Sequence, residues 1–234
     1  NIYIQTGFNN NGLLRMKKRI AVCIYGQIRG DELFKNHFSE WSSDEYDFDF
    51  FMSTWIHTYD IKFPFTKSEC LAEFKVKHFK GNDRTAKSCY LINKVIRLKE
   101  SYEMKNGFAY DVVVCTRTDF KHDLEKLYTA ISNVDVINKK YDRPIVSLTS
   151  SLRVHPNVDG VTLPNDNTFI YNQEGSNLHA NLFNLLFLQE THQKDREWSW
   201  DEPTNNGHYM HGFCFSYHNF LVLESKLKET RIEQ

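Results

Sequence analysis

Apolar runs that end abruptly in polar residues dominate the first half of the chain. They cover residues 19–25, 47–55 and 110–120. A short, largely β-branched apolar run is typical of a strand buried on both faces of a sheet, usually a central parallel strand. In open α/β sheets, ligands bind outside the carboxyl ends of the strands. The three polar ends therefore predict one shared crevice.

The segments between and after these strands show helical spacing. The longest such pattern runs from residue 68 to residue 105 and stops at Asn106-Gly107, with shorter helices expected over 31–41, 123–127, 176–190 and about 218–228. Further strands are expected over 144–148 and 168–171. This alternation predicts an α/β fold with a mainly parallel central sheet flanked by helices. The basic residues of the longest helix are expected in solvent: Lys87, Lys94, Arg97 and Lys99.

Length and composition narrow the organisation. A chain of 234 residues is expected to form one large domain over residues 16–234. Residues 1–15 are polar and Asn-rich, and we interpret them as an N-terminal extension or a tag-derived segment. The net charge of −1 argues against nucleic acid as a partner. The sequence contains no run of 18 apolar residues, so we expect no integral membrane segment.

The cysteines favour a reducing, cytoplasmic setting. All five are scattered, and no C-x-x-C pair is present. Cys23 and Cys115 fall inside predicted strands, where a thiol acts as a small apolar filler.

The first strand leads into Gly26-Gln27-Ile28-Arg29-Gly30 and then a helical pattern. A strand, a glycine turn and a helix N-terminus together favour binding of an anion. The spacing matches neither the dinucleotide-binding nor the P-loop fingerprint. Arg29 is placed to reach a phosphate or a uracil carbonyl; alternatively, it is a solvated turn residue.

The other two strand ends carry different groups. Arg117 and Asp119 follow the third strand, where together they can hold a phosphate and a metal ion or sugar hydroxyl; alternatively, they form a local ion pair that caps the strand. The second strand ends in Ser53, Thr54 and Trp55. Trp55 could stack on a base or a sugar, although a tryptophan is also a common core residue.

Together these strands resemble a divergent family of GT-A-type glycosyltransferases from bacterial and viral surface-polysaccharide loci. The resemblance lies in R-I-A-V-C-I-Y-G-Q-I-R (19–29), F-D-F-F-M-S-T-W (48–55), Y-D-V-V-V-C-T-R-T-D (110–119) and D-N-T-F (166–169). It covers about residues 19–187. It implies one Rossmann-like GT-A domain, with a nucleotide-binding half over about 16–120 and an acceptor-side half over about 121–234.

The resemblance also implies a donor site. Gly26, Gln27 and Arg29 would line the nucleotide, with Thr54 and Trp55 beside them, and Arg117 would lie near the diphosphate. Asp119 would stand where the metal-binding carboxylate of a D-x-D motif normally does. Because residue 117 is an arginine, this motif is incomplete. Mn²⁺ or Mg²⁺ would need further ligands, since such ions prefer several oxygen atoms.

The remaining ligands and the catalytic base are open. Either Asp166, His208 or His211 completes a metal site, or Arg117 neutralises the leaving diphosphate without a metal. His208 and His211 have the i, i+3 spacing of a shared metal site on a helix, or are ordinary histidines near a turn. An inverting transferase needs a carboxylate base. Asp166 is the first candidate and Glu202 the second; alternatively, both are ordinary loop carboxylates.

The leading hypothesis is a nucleotide-sugar-dependent glycosyltransferase acting on a glycan or small acceptor. A second hypothesis is a catalytically inactive glycan- or nucleotide-binding module of the same fold, which the incomplete D-x-D motif favours. A nucleotidyltransferase is a weaker third, because the clustered carboxylates that such enzymes use cannot be located in the chain.

Overall fold

The computed structural model describes residues 17–28, 37–56, 61–72, 83–148, 153–154, 162–163, 167–185, 211, 214–215, 217–225 and 229–231. The helices are α1 (Asp83–Asn106), α2 (Leu124–Asn138) and α3 (Gln173–His179). The strands are β1 (Lys18–Tyr25), β2 (Tyr46–Trp55), β3 (Lys67–Leu71), β4 (Val112–Arg117), β5 (Phe120–His122), β6 (Ile145–Leu148), β7 (Arg153–Val154), β8 (Thr162–Leu163), β9 (Thr168–Tyr171), β10 (Leu221–Glu224) and β11 (Glu229–Arg231).

Seven of these strands form one sheet in the order β10-β6-β9-β4-β1-β2-β3. All neighbours pair in parallel except at β9, which is antiparallel to both β4 and β6. Strand β5 pairs with β11, and β7 with β8, in two small antiparallel ribbons. The prediction of an α/β fold with a mainly parallel central sheet is confirmed.

The register brings the predicted polar strand ends together. Tyr25 of β1 lies level with Ser53 of β2 and with Arg117 of β4. We call this end of the sheet, formed by residues 25–27, 53–55 and 116–119, the carboxyl edge. We call the opposite end, where β1, β2, β4 and β6 begin, the amino edge. Strand β4 is central, but its partner β9 is antiparallel, which the sequence did not predict.

Each face of the sheet is covered by a long helix. Alternate β1 residues such as Val22 pack with Leu127 and Ile131 of α2 on one face. The intervening residues, Cys23 among them, pack with Ile92 of α1 on the other. Cys23 and Cys115 have no exposed surface, as expected for buried fillers. Continuous burial on both faces explains why these strands read as unbroken apolar runs.

Two of the predicted helices, over residues 68–105 and about 218–228, differ from the structure. Ser68 lies in β3, an edge strand beside β2, and the helix begins only at Asp83. Residues 221–224 form β10, which completes the other edge beside β6. The predicted final helix is therefore wrong. Periodicity does not distinguish a strand from a helix in a short apolar run. Here, pairing with β2 and with β6 at the two outer positions of the sheet makes both segments strands.

The remaining helices differ in extent. Helix α2 continues to Asn138, well beyond the predicted short helix, and Asp123 caps its N-terminus by accepting from the Lys126 N–H. Helix α3 begins earlier than predicted because Asn172 accepts a hydrogen bond from Gly175 N–H, and it ends at His179. The expected helix over residues 31–41 lies largely outside the described residues. The division between residues 1–15 and the domain stays a prediction.

Lys99 is a further correction. Its side chain has no exposed surface, whereas the helical pattern predicted a solvated lysine. Helix α3 covers this part of α1, and the ammonium group lies 3.1 Å from Glu103 Oε2 and 3.0 Å from Gln173 Oε1. The pattern within α1 carries no information about α3, which supplies these acceptors.

Candidate functional site

The carboxyl edge contains a topological switch point between β1 and β4. The chain leaves β1 for β2 on one side, and returns to β4 on the other. Connections that depart in opposite directions leave a crevice outside the strand ends, and this is where open α/β sheets bind ligands. Gly26 and Gln27 follow β1 at this point, and Thr118 and Asp119 follow β4.

Direct hydrogen bonds fix these two turns against each other. The Thr118 N–H donates to the Tyr25 carbonyl at 3.1 Å, and the Thr118 hydroxyl donates to the Gln27 carbonyl at 2.8 Å. Gly26 has a φ of +121°, and a Cβ there would lie 3.3 Å from Thr118 Oγ1. A glycine is needed at this position because other residues rarely adopt such a φ. The structure therefore brings Gly26 and Gln27 together with the end of β4.

Arg117 and Asp119 form a bidentate ion pair within this turn. Arg117 Nε donates to Asp119 Oδ1 at 2.9 Å, and an Nη group donates to Oδ2 at 2.8 Å. The guanidinium also lies 5.2 Å from the centre of the Phe120 ring. The Arg117 side chain is 27% exposed and that of Asp119 only 8%. The alternative of a local ion pair thus describes their arrangement, with the guanidinium still reachable from solvent.

Thr54 and Trp55, at the end of β2, are buried. Trp55 is 6% exposed and stacks on Tyr90 of α1, with ring centres 6.2 Å apart and planes 5° from parallel. The Thr54 hydroxyl donates to the Trp55 carbonyl at 3.3 Å. The alternative that Trp55 is a core residue describes its position here. A role for either residue in nucleotide binding stays a prediction.

A buried histidine pair at the carboxyl edge was missed by sequence reasoning. His37 Nε2 and His122 Nδ1 lie 3.0 Å apart, and His122 Nε2 lies 2.8 Å from the Thr168 hydroxyl. Burial lowers the pKa of His37 to about 4 and that of His122 to about 3. No local motif announces this pair, because its members are 85 residues apart in the chain.

His211, a predicted metal ligand, lies in a second buried pair on the other face of the sheet. Its Nδ1 is 2.8 Å from His179 Nε2, and His179 Nδ1 is 2.7 Å from the Tyr171 hydroxyl. The His211 ring also packs against Phe169, with centres 4.7 Å apart. Burial lowers the pKa of His179 well below its ordinary value. His208 lies outside the described residues.

The described residues do not fit a divalent metal. No group of three or more His, Cys, Asp or Glu side chains in this part of the chain is placed to hold one. Both carboxylate oxygens of Asp119 accept from Arg117, and the Nδ1 of His211 faces His179. The candidates Arg29, Asp166 and Glu202 lie outside the described residues, and their roles stay predictions.

The cavities lined by described residues include two at the amino edge. One, of about 610 Å³, is lined by amide and charged side chains between α2 and α3, Asn138 and Gln173 among them. The other, of about 200 Å³, lies where β1 and β2 begin and is lined by Lys18 and Asp135. Among the described helices, none is both long enough and apolar enough to cross a membrane.

Comparisons with known proteins find structural likeness but no sequence match. No protein-family model matches the chain, and no curated protein matches it. Among solved structures, it is similar to a glycosyltransferase involved in the glycosylation of the major capsid of PBCV-1. The two share 10% sequence identity with a TM-score of 0.43, over 88% of this chain and 81% of that chain. At that TM-score, the likeness carries no argument about what this chain does.

Proposed function

We propose that this chain is a nucleotide-sugar-dependent glycosyltransferase that binds its donor at the carboxyl edge. The observation that supports the proposal most is the switch point between β1 and β4, where a glycine turn with positive φ follows β1 and a partly exposed arginine ends the adjacent β4. A crevice at this point suits an anionic nucleotide. The sugar would pass to a glycan or small acceptor, as in the assembly of a surface polysaccharide.

Arg117 is the proposed diphosphate ligand. Its planar guanidinium already makes a two-point bond to a carboxylate, and the same donor geometry suits a phosphate group. A diphosphate can replace Asp119 as a partner of the guanidinium, because this ion pair lies within one turn and Arg117 is partly exposed. Asp119, once released, would accept a hydrogen bond from a sugar hydroxyl. Gly26 and Gln27 would line the nucleotide.

The proposed transfer is a displacement at the anomeric carbon. The acceptor oxygen forms a bond to that carbon while the bond to the diphosphate oxygen breaks, and the nucleoside diphosphate leaves with the electron pair. A carboxylate takes the proton of the acceptor hydroxyl. Asp166 is the first candidate for this base and Glu202 the second. Arg117 would neutralise the negative charge on the leaving diphosphate, and the proposed reaction does not depend on Mn²⁺ or Mg²⁺.

The proposal includes a cytoplasmic setting. All five cysteines are free, and four of them are buried. Free thiols in this number favour a reducing compartment. The buried thiols would remain reduced in such a compartment. Activated sugar donors fit the same setting.

The test is a thermal-shift panel with UDP-glucose, GDP-mannose and dTDP-glucose at millimolar concentration, with and without Mn²⁺. At least one donor is expected to raise the melting temperature, and Arg117→Ala is expected to abolish the rise. Arg97→Ala is the matched control, because Arg97 forms a local ion pair with Glu100 on α1. The absence of a shift with every donor would overturn the proposal.

A catalytically inactive binding module is the second candidate. The observation that favours it is the engagement of both Asp119 oxygens by Arg117, with no second carboxylate two residues before Asp119. Such a module would bind the donor without consuming it. Release of nucleoside diphosphate from a bound donor, in the presence of mixed glycan acceptors, would distinguish the enzyme from the module.

A further inference from the structure

The His37–His122 pair lies deep in the protein beside the proposed donor site. His37 is 2% exposed and His122 4%. Both rings pack against Trp41, at centre distances of 5.8 and 5.6 Å. A buried polar cluster of this kind is stable only if its hydrogen bonds are made. The contacts of His122 therefore indicate what the pair holds in place.

His122 closes a hydrogen-bonded group at the ends of β4 and β9. Its Nε2 lies 2.8 Å from Thr168 Oγ1 and 3.2 Å from Thr116 Oγ1, and the two hydroxyls are 2.8 Å apart. Thr116 and Thr168 face each other at the last rung of this antiparallel pair. Immediately beyond it, the Arg117 N–H donates to the Asn167 carbonyl at 3.1 Å. His122 thus holds the rung from which Arg117 extends.

The direction of these hydrogen bonds follows from the backbone. The His122 N–H points at His37 Nε2, at 3.4 Å, so that nitrogen acts as the acceptor of the pair. His122 Nδ1 then carries its proton and donates to His37, and His122 Nε2 is free to accept from a threonine hydroxyl. His37 carries its own proton on Nδ1, which is buried without a hydrogen-bond partner. In this arrangement both rings are neutral.

The surroundings disfavour a proton on either ring. The charged neighbour that acts on His37 is Lys121, a cation, and the titratable neighbour that acts on His122 is His37 itself. Lys121 pairs with Glu40 at 3.6 Å, and both of those side chains are largely exposed. Burial makes an imidazolium costly here, and the Lys121 cation adds to that cost at His37.

We propose that His122, oriented by His37, is a positioning residue that holds the ends of β4 and β9 in place, and that acidification releases them so that donor binding weakens. The inference rests on the proposed function for its second half. Its first half, the positioning of the β4 end, is independent of any ligand. His122 itself touches no reacting group.

Amide hydrogen exchange at Arg117 tests the positioning directly. The His122→Ala variant at about pH 7.5 is expected to speed exchange of this amide about fivefold after correction for the intrinsic rate, the effect of one net hydrogen bond. Val113, near the start of the same strand, is the internal reference and should not change. Thr168→Val removes a hydroxyl that donates to His122 and should give the same result. Unchanged protection of Arg117 in both variants would overturn the inference.

The dependence on pH separates positioning from simple packing. His122→Gln retains an amide that can bond the threonines but cannot be protonated near neutral pH. Wild-type exchange at Arg117, corrected for the intrinsic rate, should rise between about pH 7 and pH 5, because a locally opened state binds protons with an ordinary histidine pKa of about 6.5 whereas the closed pair does not. The rise should be absent in His122→Gln. His218→Gln is the control, since it removes a partly buried histidine elsewhere. An equal rise in wild type and His122→Gln would contradict the proposal.

Donor affinity provides the second readout. UDP-glucose, GDP-mannose and dTDP-glucose do not titrate between about pH 4 and pH 8, so a change in affinity reports on the protein. Calorimetry should show weaker binding as the pH falls to about 4, where the pair begins to take up protons, in wild type and His218→Gln, and constant binding in His122→Gln. Absence of binding at every pH would overturn the proposed function, while the exchange measurement would still decide the role of His122.

Discussion

The charged groups of the amino edge and those of the carboxyl edge are organised differently. At the amino edge, charged groups join separate elements: Lys18 of β1 pairs with Asp135 of α2, and the Lys99–Glu103 pair of α1 makes hydrogen bonds to Gln173 of α3. At the carboxyl edge, Arg117 and Asp119 pair within a single turn. Charges that connect elements stabilise the fold, whereas a local pair can exchange one partner for a ligand.

This difference turns on burial as well as on sequence separation. Lys99 has no exposed surface, and loss of its partner would leave an uncompensated charge in the interior. Arg117 keeps 27% of its side chain exposed, so water can replace the carboxylate. Substitutions at the two edges should therefore separate stability from ligand binding.

The largest effect on stability is expected from Lys99→Ala. Removal of the ammonium leaves Glu103 buried without its partner, and should lower the free energy of unfolding by about 3–5 kcal/mol. Glu103 also accepts from the Tyr110 N–H at 2.9 Å, so the loss should reach the start of β4. Urea denaturation measures the change, and the double variant Lys99→Met/Glu103→Gln should recover part of it. A loss below about 1 kcal/mol would place Lys99 among the exposed pairs.

The pH dependence of stability is the next effect. Burial lowers the pKa of His37 to about 4 and that of His122 to about 3 in the folded protein, against an ordinary histidine pKa of about 6.5. Below about pH 6.5 the unfolded chain gains protons that the folded chain does not, so the free energy of unfolding falls as the pH falls. The slope from each histidine approaches roughly 1.4 kcal/mol per pH unit near pH 5.

His122→Gln checks this origin. Urea denaturation at several pH values gives the slope of the free energy of unfolding against pH below about 6.5. In His122→Gln this slope should fall by the contribution of one histidine, whereas substitution of the exposed Lys121 by Ala should leave the slope nearly unchanged. An unchanged slope in His122→Gln would assign the pH dependence to other groups.

Asp135→Asn is expected to have a smaller effect at the amino edge. Asp135 accepts from both Lys18 and Lys139, and these hydrogen bonds lower its carboxyl pKa despite the opposing effect of burial. Its stabilising contribution is complete above the ordinary carboxyl pKa and disappears as the pH falls through the lowered one. At neutral pH the variant should lose about 1–2 kcal/mol, and near pH 2 the two proteins should converge. A difference that persists at acid pH would point to packing instead.

The sequence predicted the central strands of the sheet better than its outermost strands. Strands β1, β2 and β4 are buried on both faces, so their apolar runs identified them, and the switch-point turn followed from the polar residues after each run. Edge strand β3 alternates between partly buried and exposed residues, and β10 is short. Their strand state comes from pairing partners far away in the chain, which local periodicity does not contain.

Side-chain partnerships across the fold were also beyond local patterns. The burial of Lys99 depends on α3, and the His37–His122 pair joins the β1–β2 connection to β5. The ion pair of Arg117 and Asp119 was anticipated as one alternative because its two members are neighbours in the sequence. Contacts within a few residues are therefore predictable here, and contacts between distant elements are not.

The most direct test of the exchangeable carboxyl edge is the Arg117→Ala variant, compared with Arg97→Ala for both stability and donor binding. The account predicts that Arg117→Ala lowers the free energy of unfolding by less than Lys99→Ala does, yet abolishes the thermal shift produced by a sugar nucleotide, which Arg97→Ala retains. A variant that keeps the full shift would contradict the account. So would one that unfolds as readily as Lys99→Ala.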